Sequence, residues 1–123
     1  MLPQLSAAVR VFLCTRPTDM RKGFDGLSGL VQECFGQDLL TGHLFLFLNR
    51  RRDRMKILYF DRDGLVIWYK RLEKGSYRFP VAAEGDAQVE VRAADLVMLL
   101  AGVDLASVRR SRRYHRPVPR RTA

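Results

Sequence analysis

Cysteine and histidine are scarce in this chain, since each occurs only twice among 123 residues. These side chains are the usual ligands of structural zinc, and cysteine is the source of disulfides. Cys14 lies in an apolar run and Cys34 near the end of a predicted helix. Neither has a CxxC neighbour or a histidine at metal-binding spacing. We therefore interpret both cysteines as small buried hydrophobic residues in a reducing compartment, not as a zinc or redox site.

Long hydrophobic runs are also missing. The longest runs, 44–48 and 96–101, are far shorter than the roughly 20 residues that span a membrane. The N-terminal stretch MLPQLSAAVR has neither the basic start nor the apolar centre of a secretory signal. We therefore expect no membrane partner and a bacterial cytoplasmic location. With 47% apolar residues, a chain of this length can bury the core of one domain without disulfides or metals.

Acidic residues are absent from positions 109–123, where recurring arginines supply most of the net charge of +9. A second basic region lies within residues 50–78, and the remainder is net acidic. This asymmetry favours a polyanionic partner, most commonly nucleic acid, over an acidic membrane surface, because no amphipathic helix accompanies the tail. We predict one domain over residues 1–108 and a flexible Arg-rich tail over residues 109–123.

The first predicted helix runs from Met20 to Phe35, where apolar residues recur at spacings of three and four. Thr18 or Asp19 is the predicted N-cap, and Gly36 is placed to end the helix.

Strands are predicted from runs of alternating or continuous apolar residues. They cover residues 11–15, 43–48, 54–60, 65–72 and a short stretch near 89–91. The tetrapeptide at 61–64, Asp-Arg-Asp-Gly, carries the Asp-Gly signal for a tight hairpin. A second helix is predicted over residues 96–101, with Asp95 at its start and Gly102 at its end. The predicted fold is α+β: a small antiparallel sheet of about five strands with a central three-stranded meander, packed with two helices and followed by a basic tail.

Three glycines recur at every third position of the first predicted helix: Gly23, Gly26 and Gly29. Each lowers helix propensity by about 1 kcal/mol relative to alanine, so the stripe needs a reason. Close packing of the helix on a sheet is the favoured interpretation. Close approach to a phosphate backbone and a dimer contact between two copies of the chain are the alternatives. The spacing is not a nucleotide-binding fingerprint.

Catalytic motifs are not evident in the sequence. His43 starts a strand, His115 lies in the basic tail, and Ser28 is not in a nucleophile elbow. Asp61 and Asp63 could hold Mg²⁺ in a nuclease, but aspartates at a turn are favoured for backbone hydrogen bonding. We therefore predict no catalytic residue, no metal site and no cofactor.

Positive charge flanks the hydrophobic meander. The stretch 50–52 is entirely arginine, and it precedes Arg54 and Lys56 on one predicted strand. Lys70 and Arg71 lie near the end of the next strand. Because antiparallel pairing brings these strand ends together, we predict a basic rim that contacts phosphates and gives affinity and register without reading sequence.

Two further interpretations of this region are open. The rim could instead be a solvated edge with ion pairs through Asp53, Asp61 and Glu73. The aromatic residues Tyr59, Trp68 and Tyr69 could stack on bases, although core packing explains them more simply.

Three stretches carry a resemblance to a known family. They are CTRPTDMRKGFDGLSGLV (14–31), GHLFLFLNRRRDRMKILYFDRDGLVIWYKRLEKGSYRFP (42–80) and AADLVMLLAGVD (93–104). In length and order they resemble the TnpB accessory proteins of the insertion-sequence sixty-six family, the products of the element's second open reading frame.

The resemblance implies an accessory protein of transposition and not an enzyme, since the catalytic DDE transposase of such elements is a separate, larger protein. The implied partners are DNA, in particular the element's terminal repeats, the transposase and other element-encoded proteins. DNA binding would bring the protein to the nucleoid. The alternative is a protein-interaction module that docks on the transposase without DNA affinity.

The rim, the tail and the cationic motif positions together give the candidate nucleic-acid-binding residues. They are Arg16, Arg21, Lys22, Arg50, Arg51, Arg52, Arg54, Lys56, Arg62, Lys70, Arg71, Lys74, Arg109, Arg110, Arg112, Arg113 and Arg116.

Overall fold

A computed structural model describes residues 8–79 and 87–101 of the chain. Within these residues, five strands and two α-helices follow one another. They are β1 (Val11–Cys14), α1 (Phe24–Leu30), β2 (Leu44–Leu48), β3 (Arg54–Asp61), β4 (Gly64–Arg71), β5 (Gln88–Val91) and α2 (Ala93–Leu100). A π-helical turn, Val31–Phe35, extends α1. The predicted α+β class is confirmed, whereas Gly102 and the predicted basic tail lie outside the described residues.

The five strands form one sheet in the order β4-β3-β2-β1-β5. The predicted meander is confirmed, because β2, β3 and β4 pair antiparallel in sequence. The sheet is mixed, however, and not wholly antiparallel as predicted, because β1 and β2 are parallel. The cause is the connection between them: it carries α1 across one face and returns the chain to the end of the sheet where β1 began.

Both helices begin at different residues than predicted. The N-cap position of α1 is Gly23, because Asp19 accepts the backbone N–H of Arg21 in a separate turn before the helix. The predicted helix end at Gly36 is confirmed, with the glycine in the left-handed conformation at φ 60°. Helix α2 starts at Ala93, which puts Asp95 inside its first turn.

Hydrophobic clusters cover both faces of the sheet, as the continuous apolar run of β2 predicted. On one face, Phe35 of the π-helical turn packs on Phe45 with ring centroids 5.1 Å apart. On the other face, Leu96 and Leu99 of α2 belong to the cluster that includes Ile57. The predicted alternation along β3 is confirmed. Met55, Ile57 and Tyr59 lie on the α2 side, and Leu58 lies on the α1 side.

The two cysteines are buried and free, as predicted. The thiol of Cys34 donates a hydrogen bond to Sγ of Cys14 across 2.8 Å, between the π-helical turn and β1. Burial raises the pKa of Cys34 to about 12, so this thiol stays protonated at neutral pH. The reducing compartment remains a prediction.

The glycines of α1 do not pack on the sheet, so the favoured interpretation of this stripe is wrong. A Cβ atom at Gly23 or Gly29 would meet nothing within 4 Å, and the three atoms nearest to one at Gly26 belong to the side chain of Lys22. Helix α1 packs through Leu27 instead, which leaves the glycines away from the sheet. Among the described residues, none of the helices is both long and apolar enough to cross a membrane.

Candidate nucleic-acid interface

Three basic segments converge at one end of the sheet. Strands β1, β2 and β4 lead into this end and β3 starts from it, so the connections after β1 and β2 and the segment after β4 all lie here. Adjacent strands are about 4.8 Å apart, so these four strand ends span roughly 15 Å. We call this region the basic end. Its cationic residues are Arg16, Arg21, Lys22, Arg50, Arg51, Arg52, Arg54, Lys70, Arg71, Lys74 and Arg78.

A polar clasp closes the loop between β2 and β3, residues 49–53, which we call the arginine loop. The side-chain oxygen of Asn49 accepts the N–H of Arg54 at 2.9 Å, and its amide nitrogen donates to Asp53 at 2.7 Å. Arg52 has a left-handed backbone at φ 61°, and its N–H donates to the Asn49 carbonyl. Because Asn49 and Asp53 bond to each other and to the backbone, Arg50 and Arg51 are presented to solvent from a fixed loop.

The segment after β4 folds back onto this loop. The N–H of Leu72 donates to the Asp53 carbonyl and the N–H of Tyr77 to the Arg52 carbonyl, each at 2.7 Å. These bonds bring Lys74 and Arg78 to the same end, and both are exposed. Sequence reasoning did not include Arg78 among the candidate residues. Its position within the basic region 50–78 was the available signal.

The segment after β1 is fastened to the same end by two contacts. The N–H of Thr18 donates to the Leu48 carbonyl at 2.8 Å. The ammonium of Lys56 donates to the carbonyls of Met20 and Lys22, each at 2.8 Å.

Lys56 therefore has a different place from the one predicted. Its side chain is on the α1 side of the sheet and the residue is only 8% exposed. Its ammonium points inward to backbone carbonyls and not outward to a phosphate. Lys56 holds the 16–22 segment against the sheet, and it does not belong to the exposed cationic surface.

Few cations of the basic end have a carboxylate partner. Within residues 8–79 and 87–101, the salt bridges join Arg10 to Glu90, Arg21 to Asp19 and Arg92 to Asp95. Only the Arg21 pair lies at this end, where hydrogen bonds from Arg21 lower the pKa of Asp19 to about 2.

Carboxylates near the other cations do not form such pairs. In the described segments, Asp53, Asp61 and Glu73 form no salt bridge, contrary to the solvated-edge alternative. The Asn49 amide, with smaller contributions from the charges of Arg51 and Arg54, holds the pKa of Asp53 below its usual value. The remaining charge of the basic end is thus open to an external anion.

Arg62 lies away from the other candidate residues, in the hairpin turn at the opposite end of β3. Strand β3 is eight residues long, which corresponds to roughly 25 Å. Asp61 pairs with Gly64 in the predicted tight hairpin, and the N–H of Asp63 donates to the Asp61 carbonyl. No group of three or more His, Cys, Asp or Glu residues placed to hold a metal ion occurs in the described part of the chain.

The structure separates the three aromatic residues that the sequence left together. Tyr59 is buried, and Trp68 packs against the cluster on the α2 side. Tyr69 is instead 47% exposed on β4. The ammonium of Lys56 lies 4.7 Å from the centroid of its ring, and its hydroxyl accepts a hydrogen bond from Arg54 at 3.3 Å. Only Tyr69 of these three is open to a ligand.

The predicted tail contacts lie outside the described residues and remain predictions. They are Arg109, Arg110, Arg112, Arg113 and Arg116.

Comparison with known protein families gives a match that covers most of the chain. The family described as "IS66 Orf2 like protein" matches residues 9–110, which include every described helix and strand. The chain belongs to this family. The family's role indicates an accessory function in transposition of an insertion sequence. The stretches TDMRKG, NRRRDR and YKRLEK, which carried the resemblance, are the three segments of the basic end.

Two relatives from Sinorhizobium fredii (strain NBRC 101917 / NGR234) extend the similarity over most of both chains. Uncharacterized protein y4jC is 32% identical over 95% of this chain and 94% of its own length. Uncharacterized protein y4hO is 39% identical over 85% of this chain and 88% of its own length. No solved structure is significantly similar to the chain.

Proposed function

We propose that the protein is a non-catalytic accessory factor that binds the DNA of its insertion sequence through the basic end. The observation that carries this proposal is the convergence of three separate basic segments in which Arg21 alone has a salt-bridge partner among the described residues. Cations without carboxylate partners have no ion pair to break when they meet a phosphate, and their binding releases counterions from DNA. Such contacts supply affinity and orientation without sequence readout.

The fixed backbone of the basic end supports the same proposal. The Asn49 clasp and the bonds from Leu72 and Tyr77 hold the arginine loop in place before a ligand arrives. A loop that is already ordered loses less conformational entropy on binding, so more of the phosphate attraction appears as affinity. Lys56 and Arg62 are not part of the proposed contact surface.

Fluorescence anisotropy with a labelled terminal-repeat duplex tests the proposal over a series of salt concentrations. We expect log affinity to fall linearly with log salt, with a slope of about −0.9 for each phosphate contacted. Arg51→Gln should weaken binding and make the slope less steep by about one. Arg62→Gln is the matched control, because it removes the same charge from an exposed position at the other end of β3. Equal effects of the two substitutions, or binding that does not depend on salt, would refute the proposal.

The second candidate is a module that docks on an acidic surface of the transposase or of another element-encoded protein. The same unpaired cations favour it, because they fit a carboxylate-rich surface as well as phosphate. Co-purification with the transposase that survives nuclease treatment, together with no affinity for duplex DNA, would establish this function in place of the first.

A further inference from the structure

We propose that Tyr69 is a stacking site for an unpaired base, so that the basic end accepts single-stranded as well as duplex DNA. The inference rests on the proposed function and specifies its ligand more closely. An aromatic ring beside a track of cations is the usual arrangement for binding single strands, because phosphates meet the cations and bases stack on the ring.

The ring lies where a single strand can reach it. Strand β4 is at the edge of the sheet, and Tyr69 opposes Lys56 of β3 on the α1 side. The Lys56 ammonium covers one ring face at 4.7 Å from the centroid. Nearly half of the residue is exposed, so part of the side chain is accessible to a ligand at the edge of the sheet.

The ring is held in position before any base arrives. Lys56 is anchored by the carbonyls of Met20 and Lys22, and Arg54 donates to the tyrosine hydroxyl. A tyrosine fixed on one face and at its hydroxyl loses little freedom when a base stacks on it. These contacts to Lys56 and Arg54 distinguish Tyr69 from an exposed aromatic residue whose ring is not held in place.

Cations for the strand's phosphates adjoin the ring. Arg71 follows Tyr69 by two residues on the same side of β4, and it opposes Arg54 in the strand register. Neither arginine forms a salt bridge within the described residues. A strand whose base stacks on Tyr69 therefore runs past Arg54 and Arg71 toward the arginine loop.

The competing explanation is that the ring only shields the Lys56 ammonium from water. In that case the ring contributes to stability and is indifferent to bases. The two explanations differ in one quantity, the preference for a strand with bases over a strand of equal charge without them.

The test compares a labelled oligothymidylate with an abasic oligodeoxyribose phosphate of equal length, using the full chain. We expect the wild type to bind the base-bearing strand roughly 5- to 100-fold more tightly. Tyr69→Leu should abolish that preference, whereas Tyr69→Phe, which retains the ring, should preserve most of it. The thermal midpoint of each variant is measured alongside to detect any loss of the shielding role.

The outcomes separate this inference from the proposed function. Equal binding of both strands by the wild type, with salt-dependent duplex binding intact, overturns the stacking site alone. A preference that persists in Tyr69→Leu also overturns it. Failure to bind either strand or the duplex overturns the proposed function as well. Because the wild type alone can give the refuting result, the test does not depend on the folding of Tyr69→Leu.

Discussion

Replacing Lys56 by methionine tests whether this cation is an internal tie or a phosphate contact. Methionine preserves most of the side-chain length and removes the ammonium. The carbonyls of Met20 and Lys22 then lose a donor at 2.8 Å each, and the ring of Tyr69 loses the cation at 4.7 Å from its centroid. We expect the 16–22 segment to detach from the sheet and the domain to lose stability.

The size of the effect follows from these contacts. Each hydrogen bond from a charged donor is worth about 1.5–3 kcal/mol, and the cation–π contact about 0.5–2 kcal/mol. Part of this lost stability is recovered, because a methionine side chain costs less free energy to bury than an ammonium group. We therefore expect the free energy of unfolding to fall by about 2–4 kcal/mol, which is a large part of the stability of a small domain.

Urea denaturation followed by the fluorescence of Trp68, the single tryptophan, measures this change. Lys70→Met is the matched control: the same substitution at a neighbouring exposed position, expected to change stability by less than about 0.5 kcal/mol. Hydrogen exchange should accelerate at the amide of Thr18 in Lys56→Met only. The reasoning fails if Lys56→Met is as stable as Lys70→Met. Weaker DNA binding by Lys56→Met with unchanged stability would instead support the sequence-based prediction that Lys56 contacts a phosphate.

Three further predictions concern single residues. The Asp19 carboxyl should titrate near 2 by NMR and move back toward 3.8 in Arg21→Gln. Because the pKa of Asp19 is lower in the folded than in the unfolded state, the pair stabilises the folded state above about pH 4, and this contribution disappears as the pH falls toward 2. An Asp19 pKa that is unchanged in Arg21→Gln would contradict this prediction. Gly29→Ala should increase the free energy of unfolding by up to about 1 kcal/mol and so raise the thermal midpoint, since a Cβ there meets open space. A lower thermal midpoint would refute this. Arg62→Gly should stabilise by about 0.5–1 kcal/mol in urea denaturation, since Arg62 has φ 55°; no gain would mean that the turn is not strained.

The local parts of the fold could be predicted from the sequence. Alternation along β3, the continuous apolar run of β2 and the Asp-Gly turn each depend on neighbours in the chain, and these predictions agree with the structure. The start of α1 could not be predicted, because Asp19 has the same capping preference for a turn as for a helix. The parallel pairing of β1 with β2 depends on how the connection through α1 crosses the sheet, and no local sequence pattern predicts this crossing.

The same division applies to the candidate site. The meeting of the arginine loop with Lys70 and Arg71 follows from hairpin geometry and was predictable. The inward direction of Lys56 was not, because its acceptors are carbonyls distant in sequence, at Met20 and Lys22. Alternation placed Lys56 on the correct face of β3 but could not reveal that this part of the face is covered.

The crossover between β1 and β2 explains why so much positive charge adjoins the most hydrophobic strands. Were β1 antiparallel to β2, the 16–22 segment would lie at the opposite end of β2, a strand length of roughly 15 Å from the arginine loop. The buried strands also fix the register, because a shift of one residue would exchange the side chains that β3 presents to the two covered faces of the sheet. The hydrophobic sheet therefore holds the like charges of the basic end close together. The free energy gained by burying its two faces offsets the repulsion between these charges.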